Sequence, residues 1–169
     1  LENVFYETAG EIVHYLQKNI LHGNSINNQL IKLGFWPGGD RDGNPFVTTQ
    51  ITLKVADRLR TSILKCYYQE IRRLKRKLTF FEVDVLIAEL EYKLYRSVFY
   101  SKGEIYITLE EFKAQLLKIK TILIERNQSL YLDELEALLI KVNLFGFHFA
   151  SLDIRQNSKI HDKVITTIF

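Results

Sequence analysis

The sequence predicts an all-α chain, a helical bundle of about six or seven helices. Three observations lead there. Apolar residues recur at helical spacing in one stretch after another along the chain. Capping residues and Gly-containing stops punctuate those stretches at the right places. The chain has 169 residues, of which 47% are hydrophobic and 12% aromatic, enough for one domain, residues 1–169, with a sizeable core.

Val4, Phe5, Ala9, Ile12, Val13, Leu16 and Ile20 mark a first helix over residues 2–21, stopped by Gly23-Asn24. A short amphipathic piece follows, with Ile26, Leu30, Ile31 and Leu33. Gly34-Phe35-Trp36 is too short to assign by period. Residues 37–47 form a turn-rich loop, and Thr48 or Thr49 is the expected N-cap of a long helix reaching about Leu78. Val83, Leu86, Ile87, Leu90, Leu94 and Val98 predict the next helix, closed by Lys102-Gly103. Thr108 and Glu111 have the spacing of a capping box for a helix carrying Phe112, Leu116, Ile119 and Leu123. Leu135, Leu138, Leu139 and Val142 define another, ending at Asn143 to Gly146. Phe147 to Ile154 is rich in aromatic and apolar residues, and helix resumes around Ser158 to Phe169.

The net charge of +3 names no partner, but it is unevenly spread. Nine Lys and Arg against Asp57 and Glu70 fall in residues 54–77, ending in Arg72-Arg73-Leu74-Lys75-Arg76-Lys77. No aromatic stacking pattern accompanies the run. Cations at a helix C-terminus complement its dipole, so a solvated helix end is the reading, without nucleic acid. A lone cysteine, Cys66, excludes an internal disulfide, fits a reducing compartment and reads as a small packed thiol. No apolar run reaches the length of a membrane span and no signal peptide is visible, so no membrane partner is expected. The chain starts at Leu1 without Met and stops at Phe169, both inside helical patterns. It therefore reads as an internal fragment of a longer polypeptide.

The loop carries the chemistry. Gly38-Gly39-Asp40-Arg41-Asp42-Gly43-Asn44-Pro45 sets three glycines and alternating charges between two apolar segments, just after Trp36. Trp36-Pro37-Gly38-Gly39-Asp40-Arg41-Asp42-Gly43-Asn44-Pro45-Phe46-Val47-Thr48 closely resembles the W-x-G-G-D-R-D-G-N-P-x-V-T signature of the phosphoenolpyruvate carboxylases. Downstream, Phe145-Gly146 and Leu152-Asp153-Ile154-Arg155-Gln156-Asn157-Ser158 resemble the family's F-G and L-D-I-R-Q-E-S segments, in the right order and spacing.

The resemblance implies that both blocks are short strand-like segments of an α/β barrel in the full-length enzyme, with polar residues at its mouth. It implies a reaction of phosphoenolpyruvate with bicarbonate to give oxaloacetate and phosphate, assisted by Mg²⁺ or Mn²⁺. The setting would be a cytoplasmic enzyme that replenishes oxaloacetate and is usually a homotetramer. Arg155 matches the arginine that contacts the substrate phosphate, and Trp36 the position lining an apolar pocket beside it. Asp153 and Gln156 are expected to support Arg155. For Asp40, Arg41 and Asp42 three roles stay open: catalytic, loop-positioning, or an effector site for a phosphate ester. The structural role is favoured, with ion pairs and backbone bonds fixing Gly38, Gly39, Gly43 and Asn44 at the mouth.

Asp40 and Asp42 look like a metal pair, but the family's metal carboxylates lie in a later region. No metal or other cofactor is expected on this chain, whose partners would be the substrates and the remainder of the polypeptide. The family's essential histidine lies upstream, so His14, His22, His148 and His161 are not read as catalytic, and His148 is assigned to packing. Without these parts the chain alone is expected to be inactive. Pro37, Ser151 and Asn157 depart from the family pattern, where Met, a basic residue and Glu are usual. The rival reading is a non-catalytic helical interaction or regulatory domain that keeps the signature as a scaffold.

Overall fold

A computed structural model of the chain describes residues 2–21, 31–42, 44–100 and 106–168. Within them lie six helices and two short strands: α1 (Glu2–Asn19), β1 (Gly34–Phe35), α2 (Thr49–Lys75), α3 (Val83–Phe99), α4 (Leu109–Arg126), α5 (Leu132–Phe145), β2 (Ser151–Leu152) and α6 (Ser158–Ile168). The mainly helical expectation holds, and so do most boundaries. The stop at Gly23-Asn24, most of the amphipathic piece around Ile26, His22, Gly43 and the stop at Lys102-Gly103 lie outside the described residues.

The caps explain where two of the helices begin. Thr48 is extended at φ −88° and ψ 165°, and its side chain accepts from the Ile51 N–H, so α2 starts at Thr49. Thr108 caps α4 by accepting from the Glu111 N–H at 3.1 Å. Only half of the expected capping box forms, because the Glu111 carboxylate turns to Lys93 on α3. α5 starts three residues before its first expected core leucine, after a turn with left-handed Gln128, Ser129 and Tyr131 that no sequence signal foretold.

α2 packs along α3, α3 on α4, α4 on α5, and α1 lies against α5 and α2. One continuous core joins them, built from Ile63, Ile71, Leu90, Leu116, Leu138 and their neighbours. Burying a side chain of this kind contributes roughly 1.5–3 kcal/mol. Tyr67 stands at the centre, fully buried. Its ring meets Tyr6 of α1, Phe112 of α4 and Phe147 beyond α5. Its hydroxyl donates to the Gly146 carbonyl at 2.7 Å.

The basic run at the end of α2 is largely met by carboxylates of other helices. Lys75 pairs with Glu91 at 2.5 Å, Lys77 with Glu134 at 2.8 Å, and Arg72 approaches Glu91 at 3.5 Å. Cys66 is buried as expected, and burial first, then Glu2 and Glu70, push its thiol up to about 11. His148, read as a packing residue, is instead exposed: it follows the turn after α5 and points outward between buried Phe147 and Phe149. α6 buries none of its side chains, so Ile160, Val164, Ile165 and Ile168 face solvent. Among the described residues no helix is long and apolar enough to cross a membrane.

Lys141 is a buried cation on α5. Its ammonium bonds to Glu7 of α1 and Glu70 of α2, both at 2.5 Å, and lies 4.5 Å from the Tyr6 ring centroid. Gly10 makes room for it: a Cβ there would stand 2.7 Å from the lysine stem. Burial works to lower the Lys141 pKa, but the two carboxylates outweigh it and hold the ammonium above the usual lysine range.

Replacing Lys141 by Met keeps the stem and leaves two carboxylates without their cation. The expected loss is roughly 2–4 kcal/mol in urea unfolding at pH 7, with partial recovery when Glu70→Gln is added. The sign with pH follows from a folded pKa above the unfolded value of about 10.4. The Lys141 contribution is complete below that value and fades as pH rises through the folded pKa. The gap between wild type and Lys141→Met should therefore narrow in strong alkali, and a gap that widens there would contradict this account.

Candidate functional site

The two blocks singled out in the sequence meet through their backbones. β1 and β2 pair in parallel, with Gly34 opposite Ser151 and Phe35 opposite Leu152. Ser151 N–H donates to Leu33 and Asp153 N–H to Phe35, each at 2.9 Å. Beyond a turn the pairing resumes as a parallel bridge between Asp40 and Arg155. There Arg155 N–H donates to the Gly39 carbonyl at 3.0 Å, and Arg41 N–H to the Arg155 carbonyl at 2.9 Å.

The turn between the two stretches of pairing is set by Pro37 and Gly38. Gly39 N–H donates to the Trp36 carbonyl at 2.9 Å, and Gly38 has φ +83°. Pro in the second position and a positive-φ glycine in the third describe a type II turn. The departure from the family's usual Met is thereby explained, since proline pre-sets the φ the turn needs. Gly39 answers a second constraint. A Cβ on it would stand 2.0 Å from the Asp153 carbonyl oxygen, so only glycine allows this close approach.

The result places Arg155 over Trp36. The guanidinium carbon lies 5.7 Å from the indole centroid, within cation–π range. Both are exposed, Trp36 at 55%, so the tryptophan is not filling the core. Among the described residues the Arg155 guanidinium pairs with no carboxylate. It is a planar fork on an aromatic platform with its N–H groups available to a ligand.

Arg41 is arranged differently. Its side chain turns toward α2, where Nη2 donates to the Thr52 hydroxyl at 3.0 Å, and its buried Nε has no acceptor among the described residues. Among the described residues it makes no ion pair with Asp40 or Asp42. Asp40 Oδ1 instead accepts from the Asp42 N–H at 3.3 Å, and Asn44 Oδ1 from the Phe46 N–H at 3.1 Å. Among the described residues the loop is thus held by backbone bonds, by the Thr52 hydroxyl and by side-chain oxygens of Asp40 and Asn44 that accept from backbone N–H groups, rather than by charge pairs. Gly43 lies outside the described residues.

Asp153 joins the site through its backbone, while the Gln156 side-chain Oε1 accepts from the Asn157 N–H. Asn157, the departure from Glu, accepts from the Lys159 N–H at 2.9 Å and so caps α6. Its amide also reaches Asp42 at 3.5 Å. The N-cap preference of Asn, read just before Ser158, was the signal that would have found this role.

Behind β1, on the side of α1 and α2, a cavity of about 750 Å³ is lined mainly by apolar side chains, among them Leu33, Phe35, Val47, Ile51 and Val55. Glu2 and Arg58 are the charged residues of its lining. The divalent cation that the resemblance implies does not fit the donors present. Asp40 and Asp42 supply two carboxylates, one already accepting a backbone bond, and among the described residues no three His, Cys, Asp or Glu stand together.

Comparison with known proteins matches the whole length of this arrangement. The family model described as Phosphoenolpyruvate carboxylase matches residues 2–97 and 89–169. The chain is 30% identical to the phosphoenolpyruvate carboxylase of Nitrosomonas eutropha and 31% to that of Nitrosomonas europaea, with 83% of the chain aligned in each case. It is 32% identical to that of Rhodopseudomonas palustris strain BisB5 over 80% of the chain. The chain spans about a fifth of the length of these curated relatives, 19% in each.

The close approach at Gly39 gives a direct test. Gly39→Ala should push the two paired segments apart and cost about 1–3 kcal/mol, the worth of the two bonds around Arg155 with some strain. The change should also alter the emission of Trp36, the sole tryptophan. Unchanged stability together with unchanged emission would mean that the segments are not held this closely.

Proposed function

We propose a role for this chain from one premise: it belongs to the phosphoenolpyruvate carboxylase family. In that role it supplies the phosphate-gripping part of the active site of an enzyme that joins phosphoenolpyruvate to bicarbonate, giving oxaloacetate and phosphate. The observation that carries the reading is the meeting of the two blocks, with the guanidinium of Arg155 over Trp36 and, among the described residues, no carboxylate claiming it.

The chemistry asks for such an arrangement. Transfer of the phosphoryl group to bicarbonate and carboxylation of the enolate left behind both build up negative charge. Fixed cations stabilise that charge more than they stabilise the substrate. Arg155 can hold two phosphate oxygens at once through its parallel N–H groups. Trp36 keeps the guanidinium oriented by stacking, and its apolar face excludes water from the enolate carbon. The backbone pairing at Gly39 and Arg41 fixes where the arginine leaves the chain, so little ordering remains to be done when substrate arrives.

A divalent cation, held by other segments of the whole enzyme, would supply electrostatic stabilisation of the reacting oxygens. The whole protein would act in the cytoplasm, as a homotetramer in keeping with its family, and its loop at Asp40 to Asp42 would serve to position Arg155 rather than to react.

Two outcomes test this. The 169-residue chain alone should form no oxaloacetate from phosphoenolpyruvate, bicarbonate and Mg²⁺, since positioning and electrostatic stabilisation would both be incomplete. Bicarbonate-dependent oxaloacetate above a blank would refute that. In the complete enzyme carrying this sequence, Arg155→Ala should lower kcat/KM about 30- to 1000-fold, roughly 2–4 kcal/mol of transition-state stabilisation. Arg155→Lys should recover only part, for want of the planar fork. Near-normal kcat/KM in a correctly folded alanine variant would remove Arg155 from the site.

A further inference from the structure

We infer that Thr52 is a positioning residue for Arg155, acting through Gly38 and Arg41 without touching the arginine itself. The inference rests on the phosphate-gripping role proposed above for Arg155.

Thr52 lies one turn into α2 and is 6% exposed. Its hydroxyl donates to the Gly38 carbonyl at 2.8 Å, with the Thr48 carbonyl at 3.2 Å as a second acceptor. The same oxygen accepts from Arg41 Nη2 at 3.0 Å. One hydroxyl therefore uses both its donor and an acceptor site on the loop, and it fixes the chain on either side of Gly39. The Gly39 carbonyl accepts from the Arg155 N–H, and the Arg41 N–H donates to the Arg155 carbonyl. Both backbone bonds that locate Arg155 thus come from the short stretch Thr52 clamps, and that stretch is anchored to a long helix rather than to another loop.

Arg41 makes the clamp tight. Among the described residues its buried Nε has no acceptor, and the bond to Thr52 stands in for a carboxylate. A partly desolvated guanidinium that loses this bond has reason to leave for water. It would draw residues 39–41 with it and release the Arg155 backbone. The hydroxyl is the decisive atom: a valine at position 52 keeps the shape and the β-branch, and a serine keeps the hydroxyl.

Trp36 makes the test possible in this chain without any activity, because it is the sole tryptophan and Arg155 lies over its ring. Trp36 emission and acrylamide quenching would be measured for wild type, Thr52→Val, Thr52→Ser, Arg155→Ala and the Thr52→Val/Arg155→Ala pair, with far-ultraviolet circular dichroism to verify folding. Thr52→Val should reproduce most of the change caused by Arg155→Ala, Thr52→Ser should match wild type, and the double variant should match Arg155→Ala alone. Should Thr52→Val fail to fold, Arg41→Met removes the other half of the same bond and should give the same shift. Wild-type emission in a folded Thr52→Val chain, or additive effects in the double variant, would overturn the inference.

In the complete enzyme, Thr52→Val should raise KM for phosphoenolpyruvate about tenfold and have no further effect once Arg155 is alanine. A merely structural threonine would lower the melting temperature without that coupling, which would also overturn the inference. Absence of carboxylation by the complete wild-type enzyme would refute the functional reading instead, and the fluorescence comparison would still decide the role of Thr52.

Discussion

The bond from the Tyr67 hydroxyl to the Gly146 carbonyl is the interaction on which the arrangement of this chain depends. Tyr67 belongs to the middle of α2, and Gly146 ends α5 with φ +55°. The bond satisfies a carbonyl at the turn where the chain leaves the bundle for β2. A buried carbonyl without a partner there would cost about 1–3 kcal/mol. Burial holds the Tyr67 hydroxyl protonated, its pKa raised well above the usual tyrosine value, so it remains a donor at any ordinary pH. The ring around that hydroxyl touches α1, α4 and Phe147, which makes one side chain the meeting point of the core and the origin of the second block. Close by, the Lys141 cluster ties α1 and α2 to α5 by charge. Two very different interactions thus hold the same three helices in one register.

From that frame the site is assembled by backbone geometry more than by its charged side chains. Arg155 is located by bonds from its own N–H and carbonyl, and the first block reaches it only because Gly39 leaves no Cβ in the way. Asp40, Arg41 and Asp42 attract attention as a charged run, yet their side-chain bonds are local, directed at Thr52 or, for Asp42, received from the Asn157 amide. Such an economy has a physical reason. Exposed ion pairs contribute about 0–1 kcal/mol each and pay no heed to small shifts in position, whereas parallel backbone pairing fixes register to within a fraction of a residue. A residue in the role proposed for Arg155 would need the second kind of support.

The departures from the family pattern have local explanations that leave this geometry intact. Pro37 suits the second position of the type II turn, and Asn157 caps α6. Ser151 forms part of β2, and its exposed position asks for no particular side chain.

The sequence by itself determined the helical class and most helix boundaries, and it set the two blocks apart from the rest of the chain. Helical period, Thr caps and turn residues are local signals, and the blocks are legible as residue patterns. Tertiary structure alone decided the rest. It turned Arg41 inward to Thr52, took Glu111 from its capping box to Lys93, and exposed His148 where packing had been expected. It also gave Lys141 a buried place beside two carboxylates and the space left by Gly10. Each of these depends on which side chain from a distant element comes within a few ångströms, and period, propensity and spacing along one chain do not encode that distance.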